Sequence, residues 1–502
     1  MRNGPGEPSS YWMESGPETA FPAYKPDGRQ VDVAVVGGGI TGLTVALLLN
    51  RAGASVAVLE AGRVAAGVTG HTTAKVTSLH GLTYTDLERS FGADGARTYA
   101  EANEAALAEM ARLIADLAID CDFERLAAFT YTEDPASVGR IEAEVAAAAR
   151  AGLPATFTTE VDLPYPVAGA IRVENQAQFH PRRYCVGLAE AIVAGGGAIY
   201  EQTRVLDVDD GEPCRVRTES GDLRAAHVVQ ATQLPVVDPG GFFAKTHPER
   251  SYALAVELAG PPPQGMYLSA DQPTRSVRPI DDRLVLIGGE GHKVGQDPDT
   301  RRRYEVLESF ARERFEVAGI RHRWSAQDFM PADGVPYIGR LTPGSKHRLV
   351  ATGFKKWGMT HATVAALILR DHITGAHNPW ASLYDATRLN PKAAASDLVR
   401  ENVNVAKRFV GDRLATMRPP PAESLAPGEA GLRIVNGHKV AAYRDEAGEL
   451  HAVSARCTHL GCLVTWNTAE RSWDCPCHGS RFDVDGEVLQ GPAVRRLERP
   501  AG

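Results

Sequence analysis

Hydrophobic positions along the chain follow two periods, and where one gives way to the other the chain divides. Val31 to Val36 is a short apolar run, glycines follow, and Leu43 to Asn50 is apolar at helical density until Gly53 stops it. A second short run, Ser55 to Leu59, ends on the acid Glu60, so strand, glycine turn, helix and strand form a βαβ unit. Thr98 to Leu117 puts Leu107, Met110, Leu113, Ile114 and Leu117 on one helical face, a core-packing stripe. Tyr184 to Ala194 predicts another helix, and Ala198 to Glu201 a strand after it. Tyr252 to Leu258, Gly265 to Ser269, Ser276 to Pro279 and Leu284 to Gly289 are short β-type runs parted by turns, suited to an antiparallel sheet. A polar-faced helix is expected over Asp397 to Leu414, and the prolines ending at Pro421 break it and form a stiff spacer. Beyond them only short strands recur: Gly431 to Val435, Lys439 to Arg444, His451 to Ser454, Val464 to Trp466, Arg481 to Asp483 and Val488. The pattern predicts a leader over 1–30, a large α/β unit over 31–385, a helix and Pro-rich linker over 386–424, and a small all-β domain over 425–502.

Composition changes little in this picture. A chain of 502 residues can bury more than one core, and 43% hydrophobic with 23% charged residues is ordinary for a globular protein. A formal charge of −8 gives no electrostatic reason to expect nucleic acid or an acidic membrane as partner. No run of about twenty apolar residues predicts a membrane span, and Met1 to Tyr24 lacks a signal peptide's apolar centre. A leader on the surface and a cytoplasmic protein are the expectations. Of seven cysteines, Cys121, Cys185 and Cys214 are scattered and read as inert thiols; the other four crowd into one C-terminal stretch.

The glycine turn is Gly37-x-Gly39-x-x-Gly42. Gly37 permits the tight turn, Gly39 lets a pyrophosphate approach the backbone, and Gly42 lets the helix pack on its strand. The helix N-terminus, with Ile40 and Thr41, offers unpaired N–H groups to the phosphates. Glu60, 18 residues after Gly42, is placed for ribose hydroxyls and would repel a 2′-phosphate, which favours FAD or NAD over NADP. Gly288-Gly289-Glu290-Gly291 follows a strand but leads into a turn, so a separate NAD(P)H site is not expected.

The C-terminal stretch reads Cys457-Thr-His459-Leu-Gly461-Cys462 and, after twelve intervening residues, Cys475-Pro-Cys477-His478-Gly479-Ser480. Two thiolates can hold one iron of a [2Fe–2S] cluster and two imidazoles the other. A Cys₂His₂ zinc site is the alternative, although zinc pairs usually keep Cys with Cys and His with His, whereas each arm here mixes them.

Two resemblances extend these readings. The loop Gly67 to Thr77, with Asp32 to Glu60, resembles the D-amino-acid oxidase-like flavoproteins, which include amine, sarcosine and glycerol-phosphate oxidoreductases. Gln176 to Pro181, Pro331 to Gly339 and Ala351 to Thr360 strengthen the likeness, which covers about residues 30 to 385. It implies FAD in an α/β, Rossmann-like domain of the glutathione-reductase type, built from segments near 31–80, 170–245 and 325–385. An inserted α+β substrate domain fills the intervals. It also implies that Thr72, Thr73 and Lys75 run along the flavin and that Gly353, Gly358, Met359 and Thr360 close over it. The cysteine–histidine stretch resembles the Rieske proteins of cytochrome bc complexes. That likeness implies Cys457, His459, Cys475 and His478 as cluster ligands, a Cys462–Cys477 disulfide between the ligand loops, and a Ser480 hydroxyl donated to a cluster sulfur. Gly491-Pro492-Ala493 matches that family's cluster-covering loop, and Phe482 stands where it often has Tyr, which lowers the expected potential.

Both cofactors on one chain suggest a converter from two-electron to one-electron chemistry. The favoured expectation is oxidation of a small amine or amino acid at FAD, with electrons leaving singly through the cluster to a soluble carrier. The reverse flow from a ferredoxin-like donor, and a redox sensor without turnover, are the alternatives. Arg278 and Tyr267 are candidates to bind a substrate carboxylate. Lys355 and Lys356 are candidates to activate the flavin ring or oxygen, and His71 is a candidate covalent tether.

Overall fold

The computed structural model describes residues 8–390, 394, 399–405 and 419–500. The first apolar run becomes Gln30–Val36, an inner strand of an eight-stranded sheet. The order is Tyr337–Arg340, Arg348–Thr352, Gly221–Gln230, Gln30–Val36, Val56–Leu59 and Ala198–Tyr200, and Val205–Asp209 and Cys214–Thr218 extend it beside Gly221–Gln230. From Arg348–Thr352 to Ala198–Tyr200 every pairing is parallel, and Val33 to Val36 are buried, as a strand covered on both faces requires. Helix Ile40–Arg51 packs between helices Pro181–Ala194 and Gly358–Thr374 on one face. His180 caps Pro181–Ala194 by accepting from the Arg183 N–H, and Pro181 fits the first turn, so this helix starts three residues before the expected Tyr184.

The second sheet has nine strands, in the order Val317–Pro331, Thr246–Leu258, Leu284–Lys293, Arg275–Pro279, Met266–Ser269, Glu124–Thr132, Gly169–Gln178 and Lys75–Val76, with Ala155–Thr158 beside Gly169–Gln178. The four expected β-runs all lie in it. One pairing departs from the antiparallel expectation: Met266–Ser269 runs parallel to Glu124–Thr132. The expected helix at Thr98 is the second half of Tyr84–Asp116, which Gly92 interrupts at φ 75°; its first half carries too many charges to show an apolar face.

Of the expected surface leader, the described residues from 8 onward are anchored at buried points. Ser10, Trp12 and Tyr24 are buried, Trp12 Nε1 donates to the Thr72 carbonyl at 2.7 Å, and the Arg278 guanidinium lies 5.0 Å from the Trp12 ring. Two aromatics in a polar stretch hold it against the large unit.

The C-terminal domain has a three-stranded sheet (Ala430–Val435, His438–Arg444, Leu450–Ser454) and a four-stranded one (Thr465–Asn467, Ser472–Asp474, Arg481–Phe482, Val488–Gln490). Ser472–Asp474 escaped the sequence reading because three polar-flanked residues carry no period. The helix expected over Asp397 to Leu414 lies mostly outside the described residues; 399–405 are helical. The domain docks on the large unit: Thr300 Oγ1 donates to Asn467 Oδ1 (2.7 Å), Tyr304 OH to Glu470 (2.8 Å) and Thr465 Oγ1 to the Gly295 carbonyl (3.1 Å). Among the described residues no helix is long and apolar enough to cross a membrane.

Candidate active site and cluster centre

The parallel strands end their carboxyl edges at one cavity of about 990 Å³, lined there by Val36, Leu59, Ala231 and Gly353. Ligands of open α/β sheets bind outside such edges, and pockets for one organic ligand span roughly 300–1,000 Å³. Gly37, Gly39, Ile40, Thr41, Glu60, Thr72, Thr73, Lys75, Gly353, Gly358 and Met359 line it. Gly42 and Thr360 stand behind the wall. A Cβ on Gly42 would meet the Gly37 carbonyl at 1.9 Å, so its part is close packing, while Thr360 Oγ1 donates to the Thr77 carbonyl at 3.3 Å. Gly39 brings no side chain of its own to the helix start, where Thr69 Oγ1 accepts from the Ile40 N–H at 3.1 Å, so that this one of the expected N–H groups is already partnered. Glu60 accepts from the Gly38 and Gly62 N–H groups, both at 2.7 Å, and burial raises its pKa. Each oxygen keeps a lone pair for a ribose hydroxyl. A bare glycine cradle, an oriented carboxylate and a long cavity fit FAD.

Lys75 is buried in this wall; its ammonium donates to the Tyr267 carbonyl (2.6 Å) and to Ser276 Oγ (2.5 Å). Burial, helped by the Arg278 charge, pulls its pKa well down. Lys355 and Lys356 both line the cavity, and both take left-handed backbone (φ 52° and 68°), a strained choice for lysine. The Lys356 ammonium pairs with Glu249 at 2.9 Å. His71 also lines the cavity, its Nδ1 2.8 Å from the Gly67 carbonyl.

Arg278 and Tyr267 are not brought to the cavity. The Arg278 guanidinium donates to the Thr73 carbonyl (2.6 Å), Gln178 Oε1 (2.7 Å) and the Pro279 carbonyl (2.9 Å), so it clamps the flavin-side loop instead of facing a ligand. The Tyr267 ring stacks on Phe129 with centroids 4.8 Å apart, and its hydroxyl is held by Gln264 and Asp162. Tyr267 alternates with cavity-lining Leu268 and so faces away, whereas Arg278 shares the face of cavity-lining Ser276 and is kept from the cavity by its clamp on the Thr73 loop.

Three cavity residues carried no motif. Asp328 accepts from the Phe329 (2.8 Å) and Lys356 (2.6 Å) N–H groups, and burial raises its pKa to about 6. Gln327 and Arg250 are buried. Strand alternation could have found Arg250, since it shares the inward face of Thr246–Leu258 with Pro248 and Tyr252.

The two cysteine–histidine arms fold alike. In the first, Gly461 N–H donates to the Cys457 carbonyl (2.9 Å); in the second, Gly479 N–H donates to the Cys475 carbonyl (3.0 Å). Each turn closes on a glycine at φ 77° or 75°, which is why glycine stands there. A disulfide joins Cys462 to Cys477. Cys457 and Cys475 are buried with thiols within hydrogen-bonding reach of each other, and Ser480 reaches Cys457. His459 and His478 converge with ring centroids 5.0 Å apart, and each Nδ1 is buried without a hydrogen-bond partner. Burial lowers their pKa values to about 4 and about 3, which keeps the rings neutral and metal-binding. Two thiols in reach of each other and two unpartnered imidazole nitrogens, one of each from either arm, suit a [2Fe–2S] cluster.

The cluster cradle abuts the cavity. Gln327 Nε2 donates to the Gly479 carbonyl at 2.8 Å, directly after His478, while its own side chain lines the cavity. Gly491 and Ala493 line the cavity too, and Ala493 N–H donates to Ser480 Oγ at 3.0 Å. His478 packs edge-on against Phe243 of the large unit, centroids 5.2 Å apart.

Comparison with known proteins agrees with this division. The family described as FAD dependent oxidoreductase matches residues 32–372, and the Rieske [2Fe-2S] domain family matches 417–501. YhfW of Bacillus subtilis (strain 168), whose name describes a Rieske 2Fe-2S iron-sulfur protein, is 38% identical over 498 residues, 98% of this chain and 97% of its own. Gamma-glutamylputrescine oxidoreductase of Escherichia coli (strain K12) is 25% identical over 389 residues, covering 73% of this chain and 89% of its own. The crystal structure of glycine oxidase from Geobacillus kaustophilus shares the fold at TM-score 0.62 and 20% identity, over 72% of this chain and 99% of its own. The chain belongs to the FAD-dependent oxidoreductase family of the D-amino-acid oxidase type, and it carries a Rieske [2Fe–2S] domain at its C-terminal end.

Proposed function

We propose that this protein oxidises a small amine or amino acid at FAD and passes the electrons singly, through its own cluster, to an external one-electron carrier. One observation supports this reading above others: the cavity and the cluster cradle share a wall, in which Gln327 faces the cavity and holds the Gly479 carbonyl beside His478. Bound FAD supplies a two-electron acceptor and the cluster a one-electron carrier. The residues supply position and exclusion. Gly37, Gly39, Ile40, Thr41 and Glu60 would hold the dinucleotide, Thr72, Thr73 and Lys75 would flank the ring, and the Gly353 to Met359 loop would cover it. Cys457, His459, Cys475 and His478 would bind the iron pair. Lys355 and Lys356, strained at the cavity wall, are the protein groups best placed to act on a bound ring or substrate. The relatives named for gamma-glutamylputrescine and glycine oxidation support an amine or amino acid as substrate class. We place the flavoprotein part at 31–385, joined through 386–424 to a cluster domain at 425–502, in a cytoplasmic protein. Anaerobic mixing with a panel of amines and amino acids tests the reading: the flavin absorbance should bleach first and the cluster become reduced after it. Bleaching only when a reduced ferredoxin-like donor is added would overturn it in favour of the reverse flow.

A further inference from the structure

We infer that the cluster domain also builds the substrate site, supplying Arg481 to face Arg250 across the domain seam as an anchor for a substrate carboxylate. The inference rests on the amine-oxidising reading and narrows its substrate class to molecules that carry a carboxylate as well as the amine.

Five arginines line the cavity, and three are committed elsewhere. Arg63 pairs with Glu201 (2.8 Å), Arg204 donates to the Val488 carbonyl (3.0 Å), and Arg303 is held by Asp297 and Glu290. Arg250 and Arg481, one from each domain, meet across Asp474, which lies 3.7 Å from Arg250 and 3.2 Å from Arg481. Arg250 has a side chain only 1% exposed, yet no carboxylate holds it closely: it donates to Ser325 Oγ (2.7 Å) and Gln327 Oε1 (3.1 Å), and Asp474 lies 3.7 Å away. Its Nε is buried without a partner. A buried guanidinium with an unused N–H is costly unless an acceptor arrives. Arg481 approaches the same point from the cluster domain, with Nε 3.2 Å from Asp474 and Nη2 donating to Ser472 Oγ at 3.1 Å. Glu470, on the cavity wall, lies 3.7 Å from Arg481. The two cations therefore share Asp474, and Arg481 also meets Glu470, each through single N–O contacts without a forked pair; a ligand carboxylate offers the fork that guanidinium groups favour.

This assembly makes the cluster domain a wall of the substrate chamber and not only an exit for electrons. A bare amine would leave the anchor unfilled, whereas an amino acid would satisfy it. Sites built to pair a polar group discriminate strongly against ligands that lack it.

The test uses the holoprotein, with acetate as a carboxylate probe that cannot be oxidised. Titration followed by flavin absorbance should show saturable binding, weakened about 13- to 160-fold in Arg481→Gln, as expected for loss of a charged hydrogen bond worth about 1.5–3 kcal/mol. Arg481→Lys should recover part of the loss. The cluster's electron paramagnetic resonance signal reports whether each variant is folded, and Arg250→Gln, in the other domain, serves if Arg481→Gln loses its cluster. Paired substrates complete the test: an α-amino acid should reduce the flavin at least ~100-fold more efficiently than the amine it would give on decarboxylation. Acetate affinity unchanged in both variants, or equal use of amine and amino acid, would overturn the anchor. Failure of every amine and amino acid to reduce the flavin would instead sink the amine-oxidising reading, and the acetate titration would still judge the anchor on its own.

Discussion

Replacing Gly479 by Ala puts the contact between cavity and cluster under load without touching a ligand side chain. Gly479 sits at φ 75°, and a Cβ there would lie 2.4 Å from Gln327 Nε2 and 2.8 Å from Pro248 Cβ. A side chain in the left-handed region costs about 1–2 kcal/mol. Gln327 is buried and tied to Arg250, so moving it away strands a buried amide, about 1–3 kcal/mol. The Pro248 ring cannot rotate clear. Together these come to about 2–5 kcal/mol against the docked arrangement, or roughly 30- to 5,000-fold in its equilibrium. Anaerobic stopped-flow at saturating substrate should show the lag between flavin bleaching and cluster reduction lengthened at least ~30-fold, the lower end of that range. Iron content and the paramagnetic signature establish that the cluster has assembled. An assembled cluster reduced as fast as in the wild type would refute the claim that this contact carries the electrons.

Two further outcomes follow from single groups. Phe482 is fully buried in the packing core that holds Cys457 and Cys475. A Phe482→Tyr hydroxyl donated to a cluster sulfur, worth about 1 kcal/mol, should raise the midpoint potential by roughly 40–60 mV, and an unchanged potential would contradict this view of position 482. Asp328 has its pKa raised from an ordinary 3.8 to about 6. The folded protein then holds a proton between those values that the unfolded chain has lost, so this group's contribution to stability falls as pH rises from about 4 to 6. Relative to Asp328→Asn, the wild type should therefore lose up to about 3 kcal/mol across that window, less where cavity water reaches the carboxylate. Thermal unfolding measured from pH 4 to 7 checks it, and a difference that does not change with pH would refute it.

The dinucleotide unit was legible because each of its parts is local: the strand, the three glycines, the helix and Glu60 all fall within Val31–Glu60. The cluster stretch was legible for the same reason, since each arm is a short turn closed by its own glycine. The candidates on the roofing sheet fared worse. Arg278 and Tyr267 have the right chemistry, but Tyr267 faces Gln264 across its strand and Arg278 is taken up by the Thr73 carbonyl and Gln178, contacts between segments distant in sequence that no local pattern shows. Strand alternation marks Arg250 as inward-facing, but that it meets Gln327 and Arg481 at the seam between two domains is encoded in no local period. Trp12 was missed because a polar segment gives no hint that one indole will anchor it to Thr72.

The central claim, that flavin oxidation and the cluster form one electron route, is tested most directly with Cys475→Ser. The substituted residue lies in the cradle, and its loss removes one thiolate while leaving the cavity wall in place. Mixed anaerobically with a substrate that bleaches the wild-type flavin, the variant should bleach its flavin at a similar rate yet fail to reduce an added one-electron acceptor such as a cytochrome. If the variant still reduced that acceptor at the wild-type rate, or if its flavin no longer bleached although FAD remained bound, the single-route account would be contradicted.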